Sequence, residues 1–593
     1  MAKERSEIAE SLKWRTEDIY ETREDWEKAF SEVEKKLDFS AYEGRLSELS
    51  VLRECLDRLN EVGLVLSHLG VYAFMKQDED TRISEYAALT ARVDRLEMKL
   101  AESIAFMTPE LTALPLETLE AFAADERMKD YDYTIRGIIR NKPHVLSKEA
   151  EELLSQEGRI FGGFGRVFNM IDNADFPAPV IRVEGEKTEV THGTYGVLLQ
   201  SPNRRTRRSA FRAYYQVYID RINSITAAFV GNIEKDVFLS RARRYASSLD
   251  RALSGEDVDP AVYHNLLESV NENLPLLHRY YRDKKKLMGV KELHMYDIYV
   301  SCVENAELKL DYEEAYALVK DGLAPLGERY AALLDEARDN RWIDVEETPG
   351  KKSGAYSVSV YGLKHPYVLL NYQKTTNNIF TIAHELGHAM HSYFSERSQP
   401  QEKAGYTLFV AEVASTVNEV LLIRHLLAKT EDEKLRKYLL SYYLDMLKGT
   451  LFRQTQFAEF EFLAHEMAEK GEPLTKDSLS SAYYELNKKY YGPAVVSDPE
   501  IAYEWARIPH LYRNFYVYKY ATGIISAVSI AERILSEGEK AVKDYFAFLS
   551  SGGSDSPVEL LKLAGVNLCE KAAFDSCMRS FEKALTEFEK IGG

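Results

Sequence analysis

Apolar and charged residues alternate along most of this chain at the three-to-four-residue spacing of amphipathic helices. Residues 85–106, EYAALTARVDRLEMKLAESIAF, show the pattern, and similar stretches recur to the C-terminus. Helix-breaking segments separate these stretches, with TPEL from 108, NADFPAPV from 173 and TPGKKSG from 348. We find no repeat of fixed period, which argues against a solenoid. The pattern predicts a mainly α-helical protein.

One region departs from helical spacing. Residues 355–372, AYSVSVYGLKHPYVLLNY, are rich in Val, Tyr and Ser and divide at GLKHP into two short runs typical of strands. They predict a β-hairpin directly before the segment 377–395. The pattern fits a hairpin that only covers core as well as one whose edge strand pairs with an extended peptide. Its position favours the edge strand.

Composition and charge narrow the class of protein. The chain has 593 residues, of which 45% are hydrophobic and 29% charged, a globular balance long enough for two or more lobes. The net charge of −19 repels phosphate backbones and anionic lipids, so we expect no nucleic-acid partner and no membrane partner.

The N-terminal MAKERSEIAESLKW lacks the apolar core of a secretory signal, which predicts a cytoplasmic protein. Four scattered cysteines without CxxC pairs predict reduced thiols: Cys55, Cys302, Cys569 and Cys577.

A metal-binding pattern lies in residues 377–395, NNIFTIAHELGHAMHSYFS, whose apolar stripe predicts a buried helix. His384 and His388 form HExxH and lie one turn apart on one face, so both imidazoles reach one cation. Glu385 then lies beside a metal-bound water, whose pKa zinc lowers and whose proton the glutamate accepts. A chance HExxH in a chain of this composition has odds of about a few in a hundred. Two histidines in a helical core are therefore the alternative to weigh.

A catalytic zinc needs a third protein ligand and an open position. The extended pattern HExxHxxGxxH is excluded, because the chain has His391 and Phe394 at its last two positions. Residues 408–427, LFVAEVASTVNEVLLIRHLL, predict an apolar helix with two glutamates on roughly the same face. We predict Glu412 as the third ligand and Glu419 as the residue that orients a ligand histidine.

Three further residues compete for a place at the metal. Glu396 and Glu402 lie in the polar connection SERSQPQEKAGY and are weaker candidates. His391 shares a face with His388, but only the pairing of His388 with His384 leaves the glutamate of HExxH beside the water. We therefore predict that His391 supports the ligands from behind or belongs to the core.

One histidine and four tyrosines fall within eleven residues near the C-terminus: His510, Tyr512, Tyr516, Tyr518 and Tyr520. Peptide hydrolysis passes through an oxyanion that such side chains can stabilise by donating hydrogen bonds. An aromatic helix face packed into the core fits the same spacing, because the chain has 38 tyrosines. The residues alone leave both interpretations open.

Together these segments resemble the thimet oligopeptidase family of zinc peptidases, family M3, and most closely its bacterial oligoendopeptidase F branch. The resemblance rests on HELGHAMHSYFS, on FVAEVASTVNE and on IPHLYRNFYVYKYATG at 508–523. Looser agreement at RTEDIY near the N-terminus and LHMYDIY at 293–299 extends it over nearly the whole chain.

The resemblance implies a mainly α, two-lobed metallopeptidase with a deep central channel and a small sheet or hairpin next to the HExxH helix. It implies an N-terminal helical region at 1–110, an oligopeptidase F N-terminal-type domain at 111–190 and a catalytic domain at 200–590. Access to the channel would be limited to short, unstructured peptides. One Zn²⁺ per chain would lie at the channel floor, with His384, His388 and Glu412 as its ligands and Glu385 as the catalytic base.

The resemblance also suggests roles for residues outside the metal motif. Tyr518 matches the family's oxyanion-stabilising tyrosine, and His510 looks like its substrate-contacting histidine. Their spacing is shorter than in the thimet branch, which leaves Tyr512 and Tyr516 as alternatives. The segment GKKSGAYS at 350–357 resembles the family's substrate-contacting loop, and its expected peptide contacts are Gly354, Ala355 and Tyr356.

The sequence therefore predicts a zinc-dependent endopeptidase that hydrolyses internal bonds of short oligopeptides by a metal-activated water and a glutamate base. An exopeptidase is the rival among enzymes, but it needs a fixed charge to hold a peptide terminus, and we identify none. A non-catalytic peptide-binding protein with a structural metal is the other rival. Such a site gains nothing from Glu385 beside an open coordination position.

Overall fold

The computed structural model describes residues 3–155, 158–303 and 306–591. Helices dominate this part of the chain, as the hydrophobic spacing predicts. The first fourteen α-helices are α1 (Arg23–Glu34), α2 (Leu49–Glu79), α3 (Ser84–Ser103), α4 (Met107–Ala113), α5 (Leu116–Ala124), α6 (Asp132–Asn141), α7 (Lys148–Ser155), α8 (Gly158–Asn169), α9 (His192–Leu199), α10 (Arg204–Ile219), α11 (Ile222–Ala242), α12 (Ser248–Ser254), α13 (Pro260–Glu272) and α14 (Leu274–Leu287).

The later α-helices include the two that carry the candidate metal ligands. They are α15 (Tyr312–Gly322), α16 (Glu328–Asp339), α17 (Thr376–Ser398), α18 (Gln401–Ala404), α19 (Leu408–Lys429), α20 (Glu433–Leu447), α21 (Arg453–Glu469), α22 (Lys476–Tyr491), α23 (Tyr518–Glu537), α24 (Glu539–Leu549), α25 (Pro557–Leu563) and α26 (Lys571–Lys590). None of the helices in the described ranges is long and apolar enough to cross a bilayer.

The described residues also contain seven short strands: β1 (Val180–Val183), β2 (Glu186–Glu189), β3 (Leu293–His294), β4 (Ile343–Asp344), β5 (Tyr356–Val358), β6 (Tyr367–Leu369) and β7 (Val495–Val496). They form two two-stranded sheets, antiparallel β1–β2 and parallel β3–β7, and one three-stranded sheet. The mainly α prediction with a small sheet is therefore confirmed.

The chain forms two compact units, each built from three segments. The first contains residues 1–145, 308–426 and 530–566, and the second contains 146–307, 427–529 and 567–593. The candidate metal ligands belong to the first unit and the tyrosine-rich segment to the second. The predicted linear division at 110, 190 and 200, and the channel between the lobes, stay predictions.

Helix bounds follow the local pattern closely. Helix α3 covers most of the stretch predicted at 85–106. TPEL, which we expected to interrupt the helices, lies inside α4, because a proline in the first turn of a helix leaves no intrahelical hydrogen bond unmade. The interruption between α3 and α4 falls just before it, at 104–106.

The predicted hairpin is formed by β5 and β6, which pair antiparallel with Ser357 opposite Val368. Strand β4 lies on the other side of β6, so the order is β4, β6, β5 and β5 is the edge strand. The side chains of β6 are buried, whereas those of β5 are half-buried. Strand β5 also contacts α17, which places a sheet edge beside the HExxH helix.

Each unit has its own apolar interior. In the first, Trp26 and Phe30 of α1 stack at 5.2 Å and pack with α2 and α3 into one buried cluster. In the second, Phe229, Phe460 and Trp505 pack their rings together in a buried group. Burial of aromatic side chains of this size, with areas of about 150–250 Å² each, is a main stabilising contribution to such cores.

Candidate metal centre

Helix α17 presents the HExxH residues on a well-anchored scaffold. Its N-terminus is capped by the Thr375 side chain, which accepts a hydrogen bond from the backbone N–H of Asn378. The predicted apolar stripe is buried: Ile379, Ile382, Leu386, Ala389 and Phe394 are each at most 1% exposed. His384 and His388 lie on a different face and are half-buried. The helix thus fixes two imidazoles at a partly open surface.

Helix α19 approaches α17 closely at the motif. A Cβ atom on Gly387 would lie 2.5 Å from the Cα of Ser415, so only glycine permits this helix contact. The Asn418 side chain donates a hydrogen bond to the Ala383 carbonyl at 2.9 Å and ties the two helices together. The glycine inside HELGH therefore has a packing role in addition to the chemistry of its neighbours.

The close approach brings three potential ligand atoms together. The Nε2 atoms of His384 and His388 are 3.2 Å apart, and Oε2 of Glu412 lies 3.3 Å from the first and 3.6 Å from the second. Ligands about 2.0–2.1 Å from a tetrahedral Zn²⁺ are separated by about 3.3 Å. The spacing of the three atoms therefore fits a zinc ion. Within the described residues no other group of three His, Cys, Asp or Glu side chains meets the same distance criterion.

Both imidazoles are oriented from behind. Nδ1 of His384 lies 2.5 Å from Oε1 of Glu419, and the ring of His388 hydrogen-bonds to the backbone carbonyl of Ala411. A proton held on this side of each ring leaves Nε2 as the lone-pair donor towards a cation. The role predicted for Glu419, orienting a ligand histidine, stays a prediction that this contact supports.

The electrostatics around the two histidines are unequal. Burial disfavours the charged form of His384, but hydrogen bonds with Glu412 and Glu419 outweigh burial and raise its pKa to about 10. Burial and the nearby charge of His384 lower the pKa of His388 to about 4. The hydrogen bond with His384 holds the pKa of Glu412 below its usual range. The two carboxylates supply the negative charge that a cation at this point requires.

Glu385 has the properties of a general base. It is 6% exposed, and burial raises its pKa to about 7, with a further contribution from the charges of Glu412 and Glu419. The charge of His384 and a hydrogen bond with the backbone of Ser357 in β5 act in the opposite direction. A carboxyl group with a pKa near neutral exchanges protons efficiently at neutral pH.

His391 lies in the core rather than with the three candidate ligands. It is 1% exposed, stacks on Tyr406 with ring centres 3.8 Å apart, and contacts Phe548. Burial lowers its pKa to about 3, so the ring is neutral at physiological pH. The core alternative that we gave for this residue fits its placement.

The loop before β5 presents main chain. Gly354 has a φ of +87°, and the Asn371 side chain donates hydrogen bonds to the carbonyls of Lys352 and Gly354. Ala355 and Tyr356 follow, but the Tyr356 hydroxyl donates to Asp78 at 2.8 Å and its ring lies against the core. Of Tyr356, only the backbone is therefore suited to peptide contact.

In the second unit, three of the predicted residues form a half-buried cluster. The His510 ring is stacked parallel to that of Tyr516 at 5.9 Å, and Tyr520 packs edge-on against both. The Tyr520 hydroxyl lies 3.4 Å from that of Tyr516. Burial and the charge of Arg513 lower the pKa of His510.

The other two tyrosines point elsewhere. Tyr518 is 1% exposed and its ring packs 5.1 Å from that of Tyr263. Tyr512 stacks on Phe168 at 4.5 Å, with a buried hydroxyl. The oxyanion role of Tyr518 stays a prediction, and its burial argues against it.

Sequence reasoning missed a residue that shapes this segment. Glu461 of α21 is fully buried and accepts a hydrogen bond from the backbone N–H of Phe515 at 2.7 Å. Phe515 has a φ of +46°, a conformation that non-glycine residues rarely adopt. An acidic residue inside the apolar run QFAEFEFLAH was visible in the sequence as an anomaly. Nothing local indicated its partner.

A mainly helical protein in which HExxH and a glutamate of the next long helix converge has the architecture of a metallopeptidase. Comparison with family models agrees: the model of peptidase family M3 matches residues 197–580, and the oligopeptidase F model matches residues 110–177. The chain therefore belongs to peptidase family M3, and it is a metalloendopeptidase.

Individual relatives extend over the full chain. Oligopeptidase PepF of Bacillus subtilis is 42% identical over 99% of this chain and 88% of its own length. An oligoendopeptidase F homolog of Lactococcus lactis is 37% identical over 100% and 99%. Among solved structures, a putative peptidase from Chlamydophila abortus matches with a TM-score of 0.94 at 33% identity, covering 100% of both chains. Oligoendopeptidase-F from Enterococcus faecium matches with a TM-score of 0.74 at 36% identity, covering 97% of this chain and 99% of its own. The resemblance seen in the sequence is confirmed.

Proposed function

We propose that this peptidase is a zinc-dependent endopeptidase of short oligopeptides, with His384, His388 and Glu412 as the metal ligands and Glu385 as the general base. One observation carries the proposal. Two imidazole nitrogens of the helix that also presents Glu385 lie 3.2 to 3.6 Å from each other and from one carboxylate oxygen of α19. The names of the relatives, which include oligopeptidase and oligoendopeptidase, support the substrate class.

The chemistry follows from the donor set. Two imidazoles and one carboxylate would hold the zinc, which when bound would polarise the scissile carbonyl as a Lewis acid and lower the pKa of water. Glu385, with a pKa raised to about 7 by burial, accepts the proton of the attacking water. The same carboxyl group then delivers that proton to the leaving nitrogen. Glu419 keeps Nδ1 of His384 protonated, so that Nε2 remains the donor.

Donors to the developing oxyanion are proposed among the aromatic residues at 510–520. The family resemblance favours Tyr518 as the oxyanion donor and His510 as a substrate contact. The half-buried cluster of His510, Tyr516 and Tyr520 presents its polar groups better than Tyr518, whose ring is in the core. We therefore assign the hydrogen-bond donation to Tyr516 and Tyr520, with His510 as a substrate contact.

The peptide itself has a docking edge in the first unit. Strand β5 ends its sheet, lies against α17, and hydrogen-bonds from Ser357 to Glu385. An extended peptide that pairs with this edge would run past the general base. Gly354 and Ala355, with the backbone of Tyr356, would contribute main-chain contacts at the start of the strand.

The test is cleavage of a fluorogenic octapeptide blocked at both ends, with the metal-loaded enzyme, after chelation and after zinc is restored. We expect internal cleavage that chelator abolishes and zinc recovers. An exopeptidase would leave the blocked peptide intact and cut only its unblocked counterpart. Activity that survives complete removal of the metal would contradict the proposal.

A cytoplasmic location also stays a prediction, to be checked by fractionation.

A further inference from the structure

A second polar cluster lies on α17 beyond the metal motif, within the first unit. The Ser359 hydroxyl donates a hydrogen bond to Oε2 of Glu396 at 2.9 Å. The Ser392 hydroxyl lies 2.9 Å from the hydroxyl of Tyr406. All four side chains are half-buried. The metal chemistry described above uses none of them.

The cluster continues the face of α17 that carries the general base. Ser392 and Glu396 follow Glu385 by 7 and 11 residues, which places all three within about 20° of one direction around the helix. They form a row along one side of α17. A substrate that passes Glu385 along this helix would therefore meet Ser392 and Glu396 next.

The edge strand gives the row a scale. Ser357 of β5 hydrogen-bonds to Glu385, and Ser359, directly after β5, hydrogen-bonds to Glu396. Two residues of an extended strand span about 6.6 Å. A peptide paired with β5 has the same repeat, whereas 11 residues of α17 rise about 16.5 Å, or about five residues of an extended chain. Glu396 therefore lies about two to five substrate residues from the bond beside Glu385.

The Glu396 carboxyl group is held without a cation of its own. Among the described residues, no Lys, Arg or His nitrogen lies within 4.0 Å of its oxygens. Neighbouring Arg397 instead donates to the Lys364 carbonyl and covers the ring of Tyr393. Burial raises the pKa of Glu396 to about 7, against the hydrogen bond from Ser359 and the charge of Arg397. A positive group brought beside it would stabilise the ionised form.

We propose that Glu396, with Ser359, Ser392 and Tyr406, forms a subsite for a lysine or arginine side chain of the peptide substrate, about two to five residues from the bond that is cut. The inference rests on the proposed function, because it needs a peptide extended along β5. The Ser359 hydroxyl orients the carboxylate, and the hydroxyl groups offer further acceptors to an ammonium or guanidinium group. A terminal ammonium group carries the same charge, and the experiment separates the two sources.

The experiment measures kcat/KM of the zinc-loaded enzyme on end-blocked fluorogenic octapeptides. Each position is occupied in turn by lysine or by norleucine, which has a similar chain without the ammonium group. We expect lysine to be preferred about tenfold at one position, about two to five residues from the scissile bond, as a half-buried charge pair allows. Glu396→Gln should bring that ratio close to one, and Glu396→Lys should favour a glutamate at the same position.

Glu402→Gln is the matched control, because Glu402 is a half-buried glutamate of the same unit that accepts a hydrogen bond from Thr134 outside the cluster. It should keep the lysine preference of the parent enzyme. A parent enzyme without preference at any position, or Glu396→Gln with the preference intact, would overturn the inference while cleavage itself upholds the proposed function. A preference of the parent for a free α-amine over a blocked one, lost in Glu396→Gln, would assign the subsite to a peptide terminus instead. Failure to cut any blocked peptide would overturn both proposals.

Discussion

Two adjacent side chains of the HExxH motif have opposite environments. His384 is surrounded by hydrogen-bonding carboxylates that raise its pKa to about 10, whereas burial raises the pKa of Glu385 to about 7. The first arrangement suits a residue that faces a cation, and the second suits a residue that exchanges a proton. These two adjacent residues therefore have different roles, since their contacts differ.

Replacement of the base tests this separation. Glu385→Gln keeps the shape of the side chain and leaves His384, His388 and Glu412 in place, so we expect one zinc per chain to be retained. The amide cannot accept the proton of water, and kcat should fall at least a thousandfold. Metal analysis and single-turnover rates on the blocked octapeptide check both statements. A variant that loses its zinc, or one that keeps more than about a tenth of the parental rate, would contradict the assignment.

The tyrosines provide a second test at the residue scale. Tyr516→Phe removes one proposed donor to the oxyanion, and kcat should fall about 10²- to 10³-fold with little change in KM. Tyr518→Phe is the matched control, because its ring lies in the core. We expect Tyr518→Phe to retain most of the parental kcat. The reverse order of effects would restore the assignment that the family resemblance favoured.

At the level of elements, the metal centre depends on how closely two helices approach. Gly387 of α17 lies against the backbone of α19 at Ser415. Glu412 and Glu419 of α19 reach the histidines only because the helices are this close. Helix propensity alone would favour alanine over glycine at this position by roughly 1 kcal/mol, so the contact opposes the local preference.

Gly387→Ala should therefore weaken both the fold and the metal site. A new Cβ 2.5 Å from a backbone atom forces the helices apart, at a cost of about 1–3 kcal/mol in the free energy of unfolding. Zinc affinity should fall at least tenfold as Glu412 retreats. The matched control is Gly63→Ala in α2, where no atom lies within 4 Å of the new Cβ and a small stabilisation is expected. Thermal unfolding and zinc titration measure the two effects, and equal results for both variants would refute the argument.

The turn before α23 depends on a partner from another helix. Glu461 of α21 accepts the backbone N–H of Phe515, which adopts a φ of +46°. Glu461→Ala leaves that buried N–H without its acceptor, which should cost about 1–3 kcal/mol of stability. Because Tyr516 follows directly, kcat should also fall.

The conservative variant distinguishes these effects. Burial raises the pKa of Glu461 well above its usual range, which favours the neutral form of the carboxyl group that an amide resembles. Glu461→Gln therefore has a similar shape and keeps an oxygen acceptor for Phe515. It should preserve both the melting temperature and kcat. If the alanine variant has the same melting temperature and kcat as the glutamine variant, the hydrogen bond does not position the turn.

At the scale of the whole molecule, each unit needs buried charges as well as apolar packing. Glu504 in the second unit is 1% exposed and accepts hydrogen bonds from Arg453, Arg507 and Tyr483. Burial alone would raise its pKa, but the two arginines outweigh burial and hold it at about 2, below the ordinary 4.5. The carboxylate stabilises the fold above about pH 4.5, and this stabilisation is lost as the pH falls through 2.

Glu504→Gln should consequently be most harmful near neutral pH. Removing the charge leaves two half-buried guanidinium groups without this partner, at a cost of about 3 kcal/mol at pH 7. The difference from the parent should shrink between pH 4 and pH 2, where the parental carboxylate becomes protonated. Urea unfolding at pH 7 and pH 3 measures it. Glu539→Gln, which removes an exposed surface pair with Lys543, is the control and should leave the free energy of unfolding unchanged.

Much of this protein was determined by sequence acting locally. Helical periodicity predicted α3, α17 and α19, and the Val- and Tyr-rich stretch predicted the hairpin of β5 and β6, because these patterns depend on neighbours a few residues apart. The HExxH spacing placed two imidazoles on one helical face for the same reason. The apolar helix with two glutamates then indicated where the remaining ligand would be found.

The tertiary structure decided what depends on residues far apart in the chain. Tyr516, Tyr518 and Tyr520 cannot be told apart from the sequence alone. In the structure, the ring of Tyr518 packs against Tyr263 and is buried, whereas Tyr516 and Tyr520 lie beside His510. In the sequence Glu396 belongs to a polar connection, and only the fold brings Ser359 within hydrogen-bonding distance of it. The pairing of Glu461 with Phe515 had no local indication. Sequence fixes the order of polar and apolar groups along each element, but burial and pairing are set by which elements meet, since desolvation and hydrogen bonding depend on distance in space.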